Sequence, residues 1–374
     1  MRVCGIIAEF NPLHKGHEYL LKEARARSGA DYLLIVMSGD YVQRGEPALC
    51  DRYARCRMAL EAGADAVLLL PLPFAASSAV YFARGAVSQL KHSAVCTDLF
   101  FASESGSLEA LKELIPLLEN TLPYEKRPRP NDLLGAAYLE AAETLDAGFT
   151  PHTITRIGEA HDSDADGGAL SSASAFRKRL LAGDDCRDLL PDYVNVILNE
   201  YRKSARFVNS ADLSDMLYHS LLIRKDEGFR DCYDLSPSLS DRIAAKLPLY
   251  SDAESFAQVL KSRDISLSRI RRDLLHILLE LRSDMVRALC RDLDYCPYLS
   301  LLGFRASASP LLHAIKRNAG LPLISKAADA RSLLTAEALD CFNAEMRAAD
   351  LYAYLAYGSG RISAWKRSPV ILNS

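Results

Sequence analysis

The chain of 374 residues has no cysteine arrangement that points to a disulfide framework or to a zinc site. Its nine cysteines include no C-x-x-C pair, and no cluster of cysteine and histidine has zinc-finger spacing. Scattered thiols in odd number are typical of free cysteines in a reducing compartment. We therefore expect a cytoplasmic protein.

An apolar run long enough to cross a bilayer is also missing. The longest apolar stretch, Ala66–Val80, contains Pro71 and Pro73 and is shorter than the roughly 20 residues of a transmembrane helix. Near the start of the chain, Glu9 and Asn11 interrupt the apolar residues that a signal peptide would need. The sequence thus predicts a soluble protein without a membrane partner.

The chain has no excess of positive charge: 45 Lys and Arg stand against 48 Asp and Glu, for a formal net charge of −3 at pH 7. The net charge therefore does not indicate a nucleic-acid partner. Such a partner would have to bind a local basic patch. The 25% of charged and 49% of hydrophobic residues are ordinary for a globular protein.

Short apolar segments alternate with amphipathic ones in the first half of the chain, a pattern typical of a parallel α/β sheet. From about residue 184 onward, apolar residues recur at helical spacing instead. The length also favours two domains. We therefore predict a Rossmann-like α/β domain at residues 1–183 and a mostly α-helical domain at 184–374.

The predicted elements follow from that periodicity. Strands are expected at Val3–Ala8, Tyr32–Met37, Ala66–Leu70, Asp98–Ala102 and Thr153–Ile157. Helices of the first half are expected at about His17–Arg27, Asp51–Ala62, Ser78–Lys91, Leu108–Leu118, Asn131–Leu145 and Ala173–Leu181. Those of the second half are expected at Leu189–Tyr201, Ser210–Leu222, Ser238–Ala245, Ala253–Lys261 and Ser268–Arg282.

The turn after the first strand carries the most informative motif, Asn11-Pro12-Leu13-His14-Lys15-Gly16-His17. In an open parallel sheet, ligands bind at the carboxyl ends of the strands. Gly16 lets phosphate approach the backbone, and the free N–H groups of the next helix attract anions. His14 and His17 lie three residues apart, on one side of the first helical turn. The turn predicts a nucleotide-phosphate site, the alternatives being a chance pattern or a His14 that only caps the helix.

The H-x-G-H spacing resembles that of an adenylyl-transferring superfamily, which includes pantetheine-phosphate and nicotinate-nucleotide adenylyltransferases and class I tRNA synthetases. Members also carry a second phosphate-binding motif of the form I-S-S-T-x-I-R. Ser171-Ser172-Ala173-Ser174-Ala175-Phe176-Arg177 resembles a variant of that motif. The resemblance implies that Ser172 and Ser174 contact phosphate and that Arg177 clamps the pyrophosphate.

Longer blocks resemble the bacterial tRNA(Met) cytidine acetate ligases. They are Gly5–His17, Met37–Ala48 with its Gln43-Arg44-Gly45-Glu46-Pro47 core, Gly63–Val67, Phe101–Glu104, Asn131–Gly135, Arg156–Gly158, the serine motif and Tyr298–Phe304. The resemblance implies a nucleotidylyltransferase-like parallel sheet and an enzyme that makes acetyl-adenylate from ATP and acetate with release of pyrophosphate. The acetyl group then passes to N4 of the wobble cytidine of elongator tRNA(Met).

The same resemblance implies the ATP site. It would comprise Ile7, Ala8, Glu9, Phe10, Asn11, Pro12, Leu13, His14, Lys15, Gly16, His17, Glu18, Tyr19, Leu20, Ala102, Asn131 and Arg156. Ala102 stands where the family usually has glycine. His14 and His17 would be the catalytic pair. Magnesium is expected to arrive on the phosphates, without a metal site made by the protein.

Several of these residues have a simpler interpretation. Asn131 could be a helix N-cap and Arg156 a surface residue. Arg44 lies after the second strand, where it could meet a carboxylate or a tRNA phosphate, or pair with Glu46 or Asp40. Gln43 is assigned with Arg44 to this substrate or tRNA rim.

A tRNA partner needs positive surface and rings on which an unpaired base can stack. Cations are dense after residue 260, and Arg269, Arg271 and Arg272 are the predicted tRNA contacts. Interleaved acidic residues leave open that this is only a solvated helix face. The candidate stacking residues are Tyr352, Tyr354, Tyr357 and Trp365, although core packing is the commoner fate of aromatic residues.

Two enzymatic functions remain open, together with a disfavoured ATP-sensing RNA-binding protein. The preferred one is the adenylate-forming tRNA ligase. The alternative is a small-molecule nucleotidylyltransferase that transfers AMP to a phosphorylated metabolite, with the helical half serving dimerisation. Neither the acyl donor nor the oligomeric state follows from the residues alone.

Overall fold

The computed structural model describes residues 1–118, 128–156, 173–182, 186 and 189–373, and gives only the backbone for 173–176 and 178. The first half contains, in chain order, β1 (Val3–Ala8), α1 (Lys15–Ser28), β2 (Tyr32–Ser38), β3 (Tyr41–Val42), β4 (Glu46–Pro47), α2 (Arg52–Glu61), β5 (Ala66–Leu70), α3 (Leu72–Ala75), α4 (Ala79–His92), β6 (Asp98–Ser103), α5 (Leu108–Leu114), α6 (Pro130–Thr144), β7 (Thr150–Thr155) and α7 (Ala173–Ala182).

The second half contains α8 (Asp192–Tyr201), α9 (Ser214–Arg224), α10 (Pro237–Lys246), α11 (Ala253–Leu260), α12 (Leu267–Leu278), α13 (Ser283–Asp292), β8 (Leu299–Arg305), α14 (Ser309–Asn318), β9 (Leu323–Ile324), α15 (Ala330–Leu333), α16 (Ala336–Tyr357) and β10 (Val370–Leu372). Within the described part of the chain, no helix combines the length and the apolar character that a membrane crossing requires.

One sheet runs through the molecule in the order β10-β8-β5-β2-β1-β6-β7, and β9 pairs with β8. The five strands from β5 to β7 are mutually parallel, which confirms the predicted α/β class. The side chains of β1 alternate between two cores. Val3 and Ile7 pack on the side of α4 and α6, and Cys4 and Ile6 pack on the side of α1 and α2. Both faces are covered, so the strand is apolar throughout.

Strand order reverses at β1, which has β2 on one side and β6 on the other. The connections therefore leave β1 and β6 in opposite directions and open a crevice at their carboxyl ends, where ligands bind in such sheets. The H-x-G-H turn follows β1 directly, and Ala102 lies near the end of β6.

The second half of the chain also adds strands to this sheet. β8 runs antiparallel to β5, and β10 and β9 run parallel to β8. The division near residue 183 stays a prediction, although the sheet and its hydrophobic cluster include residues from both halves.

The sequence did not predict β8 to β10, the β3–β4 hairpin in the loop after β2, or α13 to α16. The helix predicted at Ser268–Arg282 ends at Leu278, and a separate helix begins at Ser283. Gly158–Leu170, predicted as a loop, lies outside the described residues.

Candidate active site

Reciprocal hydrogen bonds fix the two histidines of the turn. His14 is the N-cap of α1, and its Nδ1 accepts a hydrogen bond from the Gly16 N–H at 3.1 Å. The Nδ1 of His17 accepts one from the His14 N–H at 3.3 Å. The rings stack with centroids 3.8 Å apart, and Phe10 packs edge-on against His17 at 5.1 Å. His14 therefore does cap the helix, as the simpler interpretation held, but the cap uses only one ring nitrogen.

The same contacts define which nitrogens remain for a ligand. Because each Nδ1 accepts a backbone N–H, a neutral ring carries its proton on Nε2. Burial, with the charge of Arg156, lowers the pKa of His14 to about 4. Burial, followed by the neighbouring His14 and Arg156, lowers the pKa of His17 well below its usual value. Both rings are thus neutral Nε2–H donors at physiological pH.

The remaining residues of the turn divide between core and rim. Phe10, Leu13 and Leu20 are buried in the cluster under α1, and Ile7 is buried in the cluster on the other face of the sheet. Asn11 is buried, and its Oδ1 accepts a hydrogen bond from the Leu49 N–H at 2.8 Å. Pro12 is buried, whereas Lys15 is exposed, and Ala8, Gly16, Glu18 and Tyr19 are partly buried. The range assigned to ATP thus contains residues that hold the turn as well as residues that reach the crevice.

Opposite the turn, Glu104, Asn131 and Arg156 form a chain of hydrogen bonds. Glu104 Oε1 accepts from the backbone N–H of Asn131 at 3.1 Å and from its Nδ2 at 2.5 Å. The Oδ1 of Asn131 then accepts from Arg156 Nη1 at 3.3 Å. Asn131 lies inside α6, whose N-cap is Arg129, so the N-cap interpretation of Asn131 is wrong. The chain holds Arg156 at the end of β7, where its charge acts on both histidines.

Glu104 is a functional candidate that the sequence analysis quoted but gave no role. Its Oε2 is buried and has no hydrogen-bond partner among the described residues. The sequence could have indicated Glu104 as a site residue, because it is a carboxylate directly after a predicted strand of the parallel sheet, where ligands bind.

Arg55 and Glu9 shape the floor beside the turn. Arg55 is fully buried and donates to the carbonyls of Glu9 at 2.7 Å, Ser38 at 3.2 Å, Cys50 at 3.1 Å and Gly39. It thereby ties the end of β1 to the loop after β2. Glu9 Oε1 accepts from the Gln43 N–H at 2.7 Å, and burial raises the pKa of Glu9.

The loop after β2 is a hairpin held by ion pairs. Glu46 pairs with Arg177 of the serine-motif helix at 3.2 Å and with Arg271 of α12 at 2.9 Å. Asp40 pairs with Arg52 at 2.7 Å. The two carboxylates considered as partners for Arg44 therefore bind other arginines, and the Arg44 side chain is exposed. Ser172 lies outside the described residues, and for Ser174 only the helical backbone is described.

The predicted tRNA contacts on α12 are engaged with protein. Arg271 also binds Glu254 at 2.9 Å, Arg269 donates to the Asp234 carbonyl at 3.1 Å, and Arg272 donates to the Gln43 carbonyl at 3.3 Å. A Cβ at Gly45 would lie 2.3 Å from the Arg272 backbone nitrogen, so only glycine allows this contact between hairpin and α12. Arg271 and Arg272 thus fasten the hairpin, and Arg269 binds Asp234 within the second half of the chain.

The candidate stacking residues are mostly used inside the fold. Tyr352 donates from its hydroxyl to the Ala48 carbonyl at 2.7 Å, and Tyr357 donates to Asp51 at 2.5 Å. Trp365 packs edge-on against Phe342 at 5.7 Å. Tyr354, with 55% of its surface exposed, remains accessible.

Comparisons with known proteins agree with this geometry. The family model described as HIGH Nucleotidyl Transferase matches residues 1–127 and 122–363. The tRNA(Met) cytidine acetate ligase of Fervidobacterium nodosum is 32% identical over 370 residues, covering 89% of this chain and 86% of the relative. That of Syntrophomonas wolfei is 33% identical, covering 95% of each chain.

Solved structures are similar along the whole length. Apo Thermotoga maritima TmcAL superposes with a TM-score of 0.90 at 27% identity, and all of each chain is covered. The same protein bound to alpha-thio ATP superposes with a TM-score of 0.88. With its nucleotidylyltransferase turn in the crevice of the sheet and these relatives matching nearly its full length, the chain belongs to the tRNA(Met) cytidine acetate ligase family.

Proposed function

We propose that this protein is an ATP-dependent ligase that activates acetate as acetyl-adenylate and acetylates N4 of the wobble cytidine of elongator tRNA(Met). The observation that carries the proposal is the His14–His17 pair, whose Nε2–H groups are available at the carboxyl end of β1. Family membership supports it, because the relatives are named for this activity.

In the first step, an acetate oxygen attacks the α-phosphorus of ATP, the bond to the β-phosphate bridge breaks, and pyrophosphate leaves. A carboxylate is already ionised near neutral pH, so no general base is needed. The protein's task is to position the reactants and to stabilise the charge that develops on the phosphates. Neutral Nε2–H donors at His14 and His17 fit this task, with the N–H groups of α1 beside them.

Among the described residues, other predicted ATP contacts follow or lie near the ends of the strands that border the crevice. Arg156 supplies a positive charge across from the histidines, and Asn131 holds it. Ala102, partly buried near the end of β6, would border the nucleotide. Lys15 is exposed at the first turn of α1, where it would meet a phosphate. On the hairpin side, Arg177 would reach the pyrophosphate, and Gln43 and Arg44 would face the incoming acetate or tRNA.

Magnesium would accompany ATP through its phosphate oxygens. In the described part of the chain, no group of three or more His, Cys, Asp or Glu side chains could hold a metal ion. Mg²⁺ commonly keeps several waters and binds substrate phosphates without a full protein cage, which fits this donor set.

In the second step, the N4 amino group of cytidine attacks the acetyl carbonyl carbon, AMP leaves, and N4 loses a proton. Products are N4-acetylcytidine and AMP. The step requires the anticodon base to reach the same crevice, since the adenylate remains there.

ATP–pyrophosphate exchange by the purified protein tests the first step, with and without acetate. We expect exchange that depends on acetate, or on acetate with total tRNA if tRNA must bind first. Mass spectrometry of digested elongator tRNA(Met) then tests the second step by the appearance of N4-acetylcytidine. No exchange under any of these conditions, with AMP transfer to a phosphorylated metabolite instead, would select the small-molecule nucleotidylyltransferase.

A further inference from the structure

Two stretches of the second half are basic and contain no carboxylate at all. They are residues 201–211 and 351–373, and neither includes Asp or Glu. Their cations are Arg202, Lys203, Arg206, Arg361, Lys366 and Arg367. All of these side chains are exposed except Arg367, which is partly buried.

The fold places the two stretches side by side. The Arg206 backbone N–H donates to the Ala356 carbonyl at 2.9 Å, and Arg206 Nε donates to the Leu355 carbonyl at 2.7 Å. The rings of Tyr201 and Tyr357 meet edge to face at 5.8 Å. Cations that lie about 150 residues apart in the chain therefore share one surface.

Aromatic rings alternate with the cations on this surface. The Arg202 guanidinium lies 5.3 Å from the ring centre of Phe207, and that of Arg361 lies 5.4 Å from the ring centre of Tyr354. We call Arg202, Lys203, Arg206, Phe207, Tyr354, Arg361 and Lys366 the cation–aromatic surface.

Two carboxylates at its border bind cations, and a third, Asp350, accepts hydrogen bonds from the Ser363 hydroxyl and the Ala364 N–H. Asp212 binds Arg206 at 2.5 Å, and Glu200 binds Arg57 at 2.5 Å. Because Arg202, Lys203, Arg361 and Lys366 add charge that these pairs do not cancel, the surface is positive although the whole chain is acidic.

Direct hydrogen bonds connect this surface to the active-site turn. The Val208 N–H donates to the Leu49 carbonyl at 3.1 Å, and the Leu49 N–H donates to Asn11 Oδ1 at 2.8 Å. Asn11 lies three residues before His14. The segment that follows Phe207 is therefore linked through buried residues to the turn that borders the crevice.

We propose that the cation–aromatic surface is the docking site for the anticodon arm of the RNA substrate. This inference rests on the proposed function and deepens it. Exposed cations neutralise backbone phosphates, and exposed rings and guanidinium planes accept unpaired bases by stacking. The exposed ring of Tyr354 among these cations favours single-stranded RNA over an acidic peptide or an anionic lipid surface, which need charge alone.

The test compares two double variants of equal charge change. Lys203→Glu with Arg361→Glu alters the cation–aromatic surface. Lys316→Glu with Arg317→Glu alters exposed positions of α14, whose buried side chains belong to another hydrophobic cluster. We expect the first to weaken binding of an anticodon-arm RNA by at least about tenfold and to flatten its salt dependence, because phosphate contacts are lost. The α14 variant should bind like wild type, and acetate-dependent exchange should stay unchanged in both variants when it is measured without RNA or with saturating RNA.

A ring substitution separates stacking from charge. Tyr354→Ala should weaken RNA binding by about fivefold or more, whereas Tyr354→Phe should retain affinity, because the base stacks on the ring face. Equal losses in both would overturn the stacking part of the proposal.

Two results would overturn the docking site itself. One is equal RNA affinity and equal tRNA acetylation in both double variants. The other is a surface variant that loses binding to anionic vesicles but not to RNA. Failure of the proposed function is distinguishable, because it would appear as wild-type protein that makes no N4-acetylcytidine.

Discussion

Two arginine-rich regions of the second half look alike in sequence and differ in structure. On α12, Arg271 lies between Glu46 and Glu254, and Arg269 and Arg272 bind backbone carbonyls of neighbouring loops. On the cation–aromatic surface, Arg202 and Arg361 lie over aromatic rings. A dense run of cations therefore indicates a polyanion site only where the carboxylates that the fold brings to it are fewer than its cations.

The same distinction separates the two ends of the active-site crevice. At the H-x-G-H turn, the backbone hydrogen bonds of both rings use Nδ1, and neither Nε2 has a hydrogen-bond partner among the described residues, which leaves both for phosphate. At the hairpin, arginines form ion pairs with carboxylates, and these pairs hold the loop in place. Substitutions of the paired residues Asp40 and Glu46 should change stability, and substitutions of the two histidines should change chemistry.

The largest effect is expected at the buried pair network of Arg52. Its side chain is 2% exposed and pairs with Asp40 at 2.7 Å and with Glu345 of α16 at 2.6 Å. Arg52→Ala leaves two buried carboxylates without their cation and should lower the free energy of unfolding by about 3–5 kcal/mol. Urea denaturation measures this loss.

Arg57→Ala on the same helix is the matched control. It removes an exposed pair with Glu200 and should cost at most about 1 kcal/mol. Similar losses in both variants would contradict the structural role of the Arg52 network.

At the turn, His14→Asn separates helix capping from phosphate binding. Asn keeps an acceptor for the Gly16 N–H but lacks a group at the Nε2 position, so the helix should persist. Adenylate formation should fall by about 10²–10³-fold, as for a lost transition-state donor. His17→Ala should abolish adenylate formation with the fold intact, which circular dichroism checks. Near-wild-type exchange in either variant would refute the donor role.

The pH profile sharpens this prediction. Because burial lowers the pKa of His14 to about 4, the ring stays neutral well below pH 6.5, the ordinary value for histidine. Acidification should therefore leave kcat/KM for ATP without a histidine limb near pH 6.5. A limb there that disappears in His14→Asn would contradict the prediction, because it would show that the His14 ring titrates near its ordinary pKa.

Glu104 tests whether the hydrogen-bond chain matters. Glu104→Gln keeps an oxygen that can accept both Asn131 N–H groups but removes its charge, which weakens these two hydrogen bonds and loosens the hold of Asn131 on Arg156. We expect up to about a tenfold rise in KM for ATP with a smaller change in kcat, since a hydrogen bond to a charged group is worth roughly 1.5 kcal/mol or more. Glu109→Gln, an exposed position on α5, serves as the control. An unchanged KM would exclude a positioning role.

The smallest effect is expected at Arg271. Arg271→Ala loses partly exposed pairs and should cost about 1 kcal/mol of stability, measured by thermal unfolding. Its RNA affinity should stay within about twofold of wild type, whereas the surface variant Lys203→Glu with Arg361→Glu should lose at least about tenfold. If Arg271→Ala and the surface variant lost RNA affinity to the same extent, α12 would be a tRNA contact after all.

Local patterns sufficed for much of the fold. Val3–Ala8 and Ala66–Leu70 were predicted with their observed ends, because buried parallel strands have uninterrupted apolar runs. The short strands at Leu323–Ile324 and Val370–Leu372 could not be predicted, since two or three residues are too few to show an alternation of apolar and polar side chains. The helix predicted at Ser268–Arg282 is present, but its predicted end is wrong, because apolar spacing continues across the break at Leu279.

The sequence by itself determined the α/β class, the crevice turn with its two histidines, and the family. These depend on contacts between residues close in the chain, such as the His14–Gly16 cap. Only the tertiary structure decided which cations are available to bind a ligand and which bind carboxylates of the protein. Glu46 and Arg271 are 225 residues apart, and Arg206 and Leu355 are 149 apart. Ion pairing depends on distance in space, which spacing along the chain does not encode.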